Sequence, residues 1–226
     1  MKDNNIIQSF FSKDELNQKI WDDNKQLRKE VREKLLHAAN EFVDFIGVPI
    51  LLEDVIFTGS LANYNWSEYS DIDLHVVSDF IQFSDTELPL YEELFRLKKT
   101  LFNDKHDIKI YGFPVELFAK DSEDLHKNKA VYSIQDDKWV VRPSKKNIKI
   151  DTESVKEKSA DVMSDIDSAL EISDSKERVG AIDKIKDRIK RMRKAGLEKG
   201  GEYSVENLVF KTLRGNGYLE KLSSEK

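Results

Sequence analysis

An α+β fold is what this chain predicts, with a mixed sheet, flanking helices and a separate helical domain behind them. Three observations carry the expectation. Residues 27–46 repeat apolar side chains at helical spacing, several short apolar runs bounded by turn residues read as strands, and everything after residue 148 is patterned as helix. The 226 residues suffice for one large domain or two small ones. A boundary near 148 divides them into 1–148, holding the sheet and a long N-terminal helix, and 149–226, holding the helical domain.

Ser12-Lys13-Asp14-Glu15 has the form of a capping box, with an acid three residues after the serine. Leu27, Val31, Leu35, Ala38, Phe42 and Ile46 follow at steps of three and four, and Gly47 with Pro49 ends the pattern. Residues 51–57 form a first strand and residues 71–77 a second. Pro89 opens another helix with Leu90, Leu94, Leu97 and Leu101 along one side, ending at Asn103-Asp104. Residues 107–111 and 114–118 read as strands around Gly112, and 130–134 with 138–141 as a hairpin. Beyond the boundary, Val155, Val162, Ile166 and Leu170 mark one helix. Asp174-Ser175-Lys176-Glu177 caps the next, lined by Val179, Ile182, Ile185, Ile189 and Met192. Gly196 and Gly200-Gly201 punctuate, and Ser204 can cap a last helix before Gly215-Asn216-Gly217.

Composition sets bounds on function. The chain is 35% charged and 39% hydrophobic, an ordinary soluble balance, and its formal charge is −6. A chain basic throughout is excluded, although a local basic face can still meet nucleic acid or triphosphate. Cysteine is absent, so there is no disulfide partner and no thiolate metal site. No run is long enough to span a bilayer, and the first five residues lack the apolar core of a signal peptide. The expected setting is the cytoplasm, with no membrane partner.

The chemistry concentrates in residues 58–77. Gly59 and Ser60 end the first apolar run, and Asp71 and Asp73 sit inside the next. Strand side chains alternate, so the two aspartates share a face. Paired carboxylates repel unless a cation lies between them, and hard oxygen ligands suit Mg²⁺ bound together with substrate phosphates. Gly59 lets backbone approach a phosphate, and Ser60 adds a hydroxyl. The following residues can open a helix whose N-terminus attracts anions.

Gly59-Ser60 followed by Ser70-Asp71-Ile72-Asp73-Leu74 resembles the signature of the DNA polymerase beta-like nucleotidyltransferase superfamily. The motif covers about twenty residues. The resemblance implies the nucleotidyltransferase core of that superfamily, a mixed twisted sheet with flanking helices, followed here by a C-terminal helical domain. It also implies a site in the cleft between the domains. In such a site Asp71 and Asp73 bind metal and catalyse, while Gly59 and Ser60 bind the nucleotide. Mg²⁺, or Mn²⁺ in its place, is the implied cofactor, and a nucleoside triphosphate, ATP in the first instance, the implied substrate.

Two-metal transfer calls for a third carboxylate from a neighbouring strand. Glu116, flanked by Val115 and Leu117, is the best candidate for a catalytic and metal-binding role. The family pattern usually has Asp there, and Glu116 pointing to solvent from an edge strand is the alternative. Asp107 and Asp121 lie nearer strand ends. His75 shares the face of Asp71 and Asp73, either steadying a ligand carboxylate or packed as an ordinary core histidine. His37, His106 and His126 show no metal spacing. Tyr64, Trp66 and Tyr69 either stack on a base or pack as a lid.

Lys184, Arg188 and Arg191 make a basic helix face, either merely solvated or a triphosphate or RNA contact. A basic helix followed by Tyr203-Ser204-Val205-Glu206 is similar, more loosely, to the helical domain of oligoadenylate synthase-like and bacterial cyclic-oligonucleotide synthase enzymes. That similarity implies nucleotide contacts from Lys190, Lys194 and Ser204. The family's usual second glycine after Gly-Ser is replaced here by Ala62-Asn63-Tyr64. Three functions stay open: transfer of a nucleoside monophosphate to an RNA 3′ end or a nucleotide, a toxin-like modification of tRNA or protein, and a non-catalytic nucleotide- or RNA-binding module on the same fold.

Overall fold

The computed structural model describes residues 6–7, 9–122, 130–145 and 149–224. His126 and the expected boundary at 148 lie outside them. The chain divides into two compact units, Ser12–Lys146 and a second made of Met1–Phe11 with Asn147–Lys226. Among the described residues no helix is long and apolar enough to cross a membrane.

The first unit is built on six strands in the order β3-β4-β2-β1-β5-β6. They are β1 (Leu52–Thr58), β2 (Ile72–Ser78), β3 (Lys109–Ile110), β4 (Phe113–Asp121), β5 (Val131–Ser133) and β6 (Lys138–Val141). Helices α1 (Lys29–Ile46) and α2 (Leu88–Lys105) flank the sheet. β1 runs antiparallel to β2 and β5, whereas β2 and β4 are parallel, because α2 carries the chain back between them. Ile72, Leu74 and Val76 of β2 join Val115 and Leu117 of β4 in the main core. Phe42 of α1 meets Phe102 of α2 edge-on at 5.1 Å, which ties the two helices into the same core.

The capping box at Ser12 opens no helix. Residues 12–28 run as turns and bends, and α1 starts only at Lys29. Tertiary packing overrides the local signal. The Trp21 ring is fully buried, stacked on Phe57 at 5.4 Å and on Trp139 at 4.6 Å, and its indole N–H donates to the Leu61 carbonyl at 2.7 Å. Asn17 and Asp22 hold the turns on either side, accepting from the backbone N–H groups of Lys19, and of Asn24 and Gln26. Gly47 does end α1, in the left-handed conformation with φ 74°.

The second unit contains α3 (Thr152–Leu170), α4 (Ser175–Gly200), α5 (Val205–Gly215) and α6 (Tyr218–Ser224). Asp174 caps α4 as the sequence predicts, accepting from the Glu177 N–H at 2.8 Å. Gly196 does not punctuate this helix, which continues to Gly200. A Cβ on Gly196 would meet Glu206 Cβ at 2.6 Å and Ser204 Oγ at 2.8 Å, so the glycine admits the start of α5 at close range. Leu208, Val209 and Leu213 of α5 are buried beside Val155 and Ile166 of α3.

Trp21→Ala is expected to lower the unfolding free energy by about 3–5 kcal/mol, as for other buried aromatic truncations. Val140→Ala, at a side chain 54% exposed, should stay within about 0.5 kcal/mol. Urea denaturation of both variants checks the inserted-ring account, and equal effects would contradict it.

Candidate active site

β2 divides its side chains between two environments. Ile72, Leu74 and Val76 face the core, so Asp73 and His75, with Asp71 just ahead of the strand, project from the opposite face. Register then sets their neighbours. Thr58 of β1 pairs with Asp73, and Asp73 pairs with Glu116 of β4. Paired residues on adjacent strands share a face, so Thr58, Asp73 and Glu116 form one row across three strands. Asp71, Asp73 and Glu116 are all half-buried, and Thr58 is buried.

The Gly-Ser turn closes over the end of this row. Gly59 has φ 81°, and a Cβ built on it would fall inside the van der Waals envelope of Asp73 Oδ2 and 2.8 Å from Asp73 Cγ. The glycine is required twice, once for the left-handed backbone and once because the Asp73 carboxylate occupies the space of a side chain. The Ser60 hydroxyl donates to Ser70 Oγ at 2.8 Å, and the Ser67 N–H donates to the same oxygen at 3.0 Å. These bonds close residues 60–70 into a tight loop ending at Asp71.

No helix opens after Ser60, and turns occupy residues 61–65. Leu61 and Ala62 are fully buried, and the Trp21 indole takes the Leu61 carbonyl that a helix would have used. The loop aromatics divide between roles. Tyr64 is buried, with its carbonyl accepting from the Lys13 N–H at 2.6 Å. The Trp66 indole donates to the Glu15 carbonyl at 2.9 Å and lines an open cavity of about 540 Å³ with Lys13, Lys19, Asn17 and Phe113. Burial, with Glu68 alongside, raises the pKa of the Tyr69 phenol.

One row further from the turn, His75 pairs with Phe118 and stacks on it at 4.9 Å and 17°. Lys99 Nζ stands 3.7 Å over the Phe118 ring. Burial, reinforced by Lys120 and Lys99, brings the His75 pKa down to about 4, so the ring is neutral near pH 7. Its Nδ1 is shielded from solvent and has no hydrogen-bond partner among the described residues. The ring packs rather than reaching toward the aspartates.

Sequence reasoning passed over Asn103, taken only as a helix end. Its side chain, in the last turn of α2, donates to the Leu117 carbonyl and accepts from the Leu117 N–H, both at 3.1 Å. β3 pairs with β4 only at Phe113 and Pro114. Asn103 therefore supplies a strand-like clamp to β4 one residue beyond Glu116. The available signal was an asparagine where the helix should already have stopped. Ser70 was quoted only as part of the motif, and its hydroxyl turns out to hold Ser60.

Gly59, Ser60, Asp71, Asp73 and Glu116 are thus gathered at one end of one sheet. Lys190, Lys194 and Ser204 belong to the helical unit. Lys190 and Lys194 are exposed on α4, and Lys194 pairs with Glu198 at 3.9 Å. Ser204 caps α5, its Oγ accepting from the Asn207 N–H at 3.3 Å. The basic residues of α4 are partly paired with acids, Arg188 with Asp165 of α3 at 2.6 Å and Lys186 with Asp183 of the same helix at 3.9 Å.

Gly59→Ala is expected to destabilise by more than the ~1–2 kcal/mol that left-handed backbone costs a non-glycine residue. In an Asp73→Ala background the excess should fall, leaving the backbone cost and a tight 3.2 Å contact with the Cβ of residue 73. Urea denaturation of the four proteins of this cycle checks the contact, and additive effects would show that Asp73 does not fill the space over Gly59.

No family model matches the chain, and no curated protein matches it. A solved structure of a candidate nucleotidyltransferase from Sulfolobus solfataricus is similar at 21% identity, over 49% of this chain and 90% of that one, with a TM-score of 0.31. A likeness of that degree adds nothing to the argument from register and contact.

Proposed function

We propose that the protein is a metal-dependent nucleotidyltransferase that moves a nucleoside monophosphate from a triphosphate to a hydroxyl acceptor, releasing pyrophosphate. The observation that supports this best is the row of Asp73 and Glu116 in direct register, with Asp71 on the same side and Gly59 in close contact with Asp73. Carboxylates brought into one row on a sheet face suit a cation between them.

The donor set fits a hard divalent cation, Mg²⁺ or Mn²⁺, which takes carboxylate oxygens together with phosphate oxygens. Among the described residues no three acidic or histidine side chains are already gathered as a metal cluster. Asp71, Asp73 and Glu116 would hold the ion. Once bound it would supply charge stabilisation at the triphosphate and a lowered pKa for the attacking hydroxyl.

The chain's own groups have separable tasks. The Gly59 backbone, and the Ser60 hydroxyl once it turns from Ser70, would orient the β and γ phosphates. Glu116, besides holding the ion, would accept the acceptor's proton as its oxygen attacks the α phosphorus and pyrophosphate departs. Lys190, Lys194 and Ser204 are the helical unit's candidates for triphosphate contacts, with ATP the first triphosphate to try. The acids paired with the basic residues of α4, Asp183 on the same helix and Asp165 on α3, favour a nucleotide acceptor over a long RNA, because net phosphate attraction there is reduced.

Incubation with each α-³²P-labelled NTP and Mg²⁺ or Mn²⁺, with and without tRNA, is the direct test. Label should move to a new product, and Asp73→Asn should lower the rate at least a hundredfold while melting as the wild type does. A fully active Asp73→Asn protein would refute the reading. In a second measurement, Mg²⁺ with NTP should raise the melting temperature of the wild type and leave an Asp71→Ala/Asp73→Ala protein unchanged. Such a shift without any label transfer would mark a binding module instead.

A further inference from the structure

α2 meets the sheet along one line of side chains. Phe95 and Phe102 enter the core, 4% and 1% exposed, whereas Leu90, Leu97 and Leu101 of the line expected from sequence are 70%, 48% and 58% exposed. Asn103 belongs to the inner line, eight residues after Phe95 and so about two helical turns further on. An amide on a core-facing line has to be matched, because an unpaired polar group there is costly. Phe102 beside it is held edge-on against Phe42 at 5.1 Å and Phe45 at 5.3 Å. Asn103 is therefore presented from an anchored helix end.

What Asn103 matches is the outer edge of β4. The segment leading into β3 serves that edge as far as Val115, whose N–H donates to the Ile108 carbonyl at 2.9 Å. Alternate residues of a strand bond to the same side, so the next outward-facing groups belong to Leu117. Leu117 is fully buried, and both its backbone groups go to the Asn103 side chain at 3.1 Å. The Leu117 N–H lies in the planar peptide unit that begins at Glu116. Holding that plane on one side, with the ladder to β2 on the other, fixes the direction in which the Glu116 side chain leaves the strand. The carboxylate stands at the end of a longer arm than aspartate's, so a small tilt of the plane becomes a larger displacement of its oxygens.

We infer, on the metal-dependent reading above, that Asn103 is a positioning residue for Glu116. It sets where the third carboxylate meets a divalent cation, and hence how tightly that cation is held. Asn103 acts through one peptide plane and is not itself a ligand. Groups of this kind, which orient a ligand without touching the metal, alter metal affinity when they are lost.

Mn²⁺ titration of the full chain, with the free ion read by electron paramagnetic resonance, tests this in a double-mutant cycle with Glu116→Gln. Asn103→Leu has a similar shape but neither donor nor acceptor. It should raise the Mn²⁺ dissociation constant about tenfold, the lower end of what lost outer-shell partners cost a metal site. In the Glu116→Gln background the same change should leave Mn²⁺ affinity where it was, while the melting temperature falls alike in both. A clamp that is merely structural would lower the melting temperature and leave Mn²⁺ affinity alone, or weaken it equally in both backgrounds. Either result would overturn the inference and leave the metal-dependent reading standing. Should Asn103→Leu misfold, Asn103→Asp replaces it, since it keeps the shape and sets a carboxylate against the Leu117 carbonyl. Its added charge acts in both backgrounds and drops out of the comparison. Weakening confined to the protein with Glu116 is again the expected result, and equal weakening in both would overturn the inference. A wild type that binds no Mn²⁺ in the millimolar range would instead refute the metal-dependent reading, and the inference with it.

Discussion

The alternation of β2 is the constraint on which the rest depends. Ile72, Leu74 and Val76 must face the core, because they pack under α1 and α2 with Phe42, Phe95 and Phe102. Asp71, Asp73 and His75 are then held on the other face. A slip of one residue would drive two carboxylates and an imidazole into that core and expose three aliphatic side chains, so register is strongly specified. β2 is also paired on both sides, antiparallel to β1 and parallel to β4. Its register therefore sets what stands beside each aspartate.

Local devices keep that arrangement in place. The Gly59 turn lets Asp73 lean where no other residue would leave room, and the Ser60–Ser70–Ser67 bonds return the loop to Asp71. Asn103 clamps Leu117 where β3 has already ended, so β4 stays in line next to Glu116. Trp21 bridges the N-terminal segment to the loop through the Leu61 carbonyl and to β1 through Phe57. Three different parts of the chain are thus fastened to the site by buried or half-buried groups.

Much of this was legible in residues alone. The two strands around the Gly-Ser motif, the shared face of Asp71 and Asp73, the end of α1 at Gly47 and the cap at Asp174 follow from local rules of alternation and capping. Other features were not. The Ser12 capping box is a sound local signal, yet burying the Trp21 ring outweighs one short helix turn. The stretch after Ser60 can open a helix by its local pattern, but Leu61 and Ala62 are buried in turns. In α2 both the leucine and the phenylalanine lines have helical spacing, and periodicity cannot say which of two apolar faces the sheet will take.

By itself the sequence determined which side chains share a face of each strand, because that depends only on the period of two. It also determined that Gly59 and Ser60 lead directly out of β1, and that the helical pattern resumes after the hairpin. Only the tertiary structure decided that β4 lies beside β2 with Glu116 level with Asp73, that Asp73 bends over Gly59, and that the leucines of α2 stay outside. These are pairings between residues tens of positions apart, or choices between apolar faces of similar spacing. The packing of the whole unit selects them, and no local pattern encodes that choice.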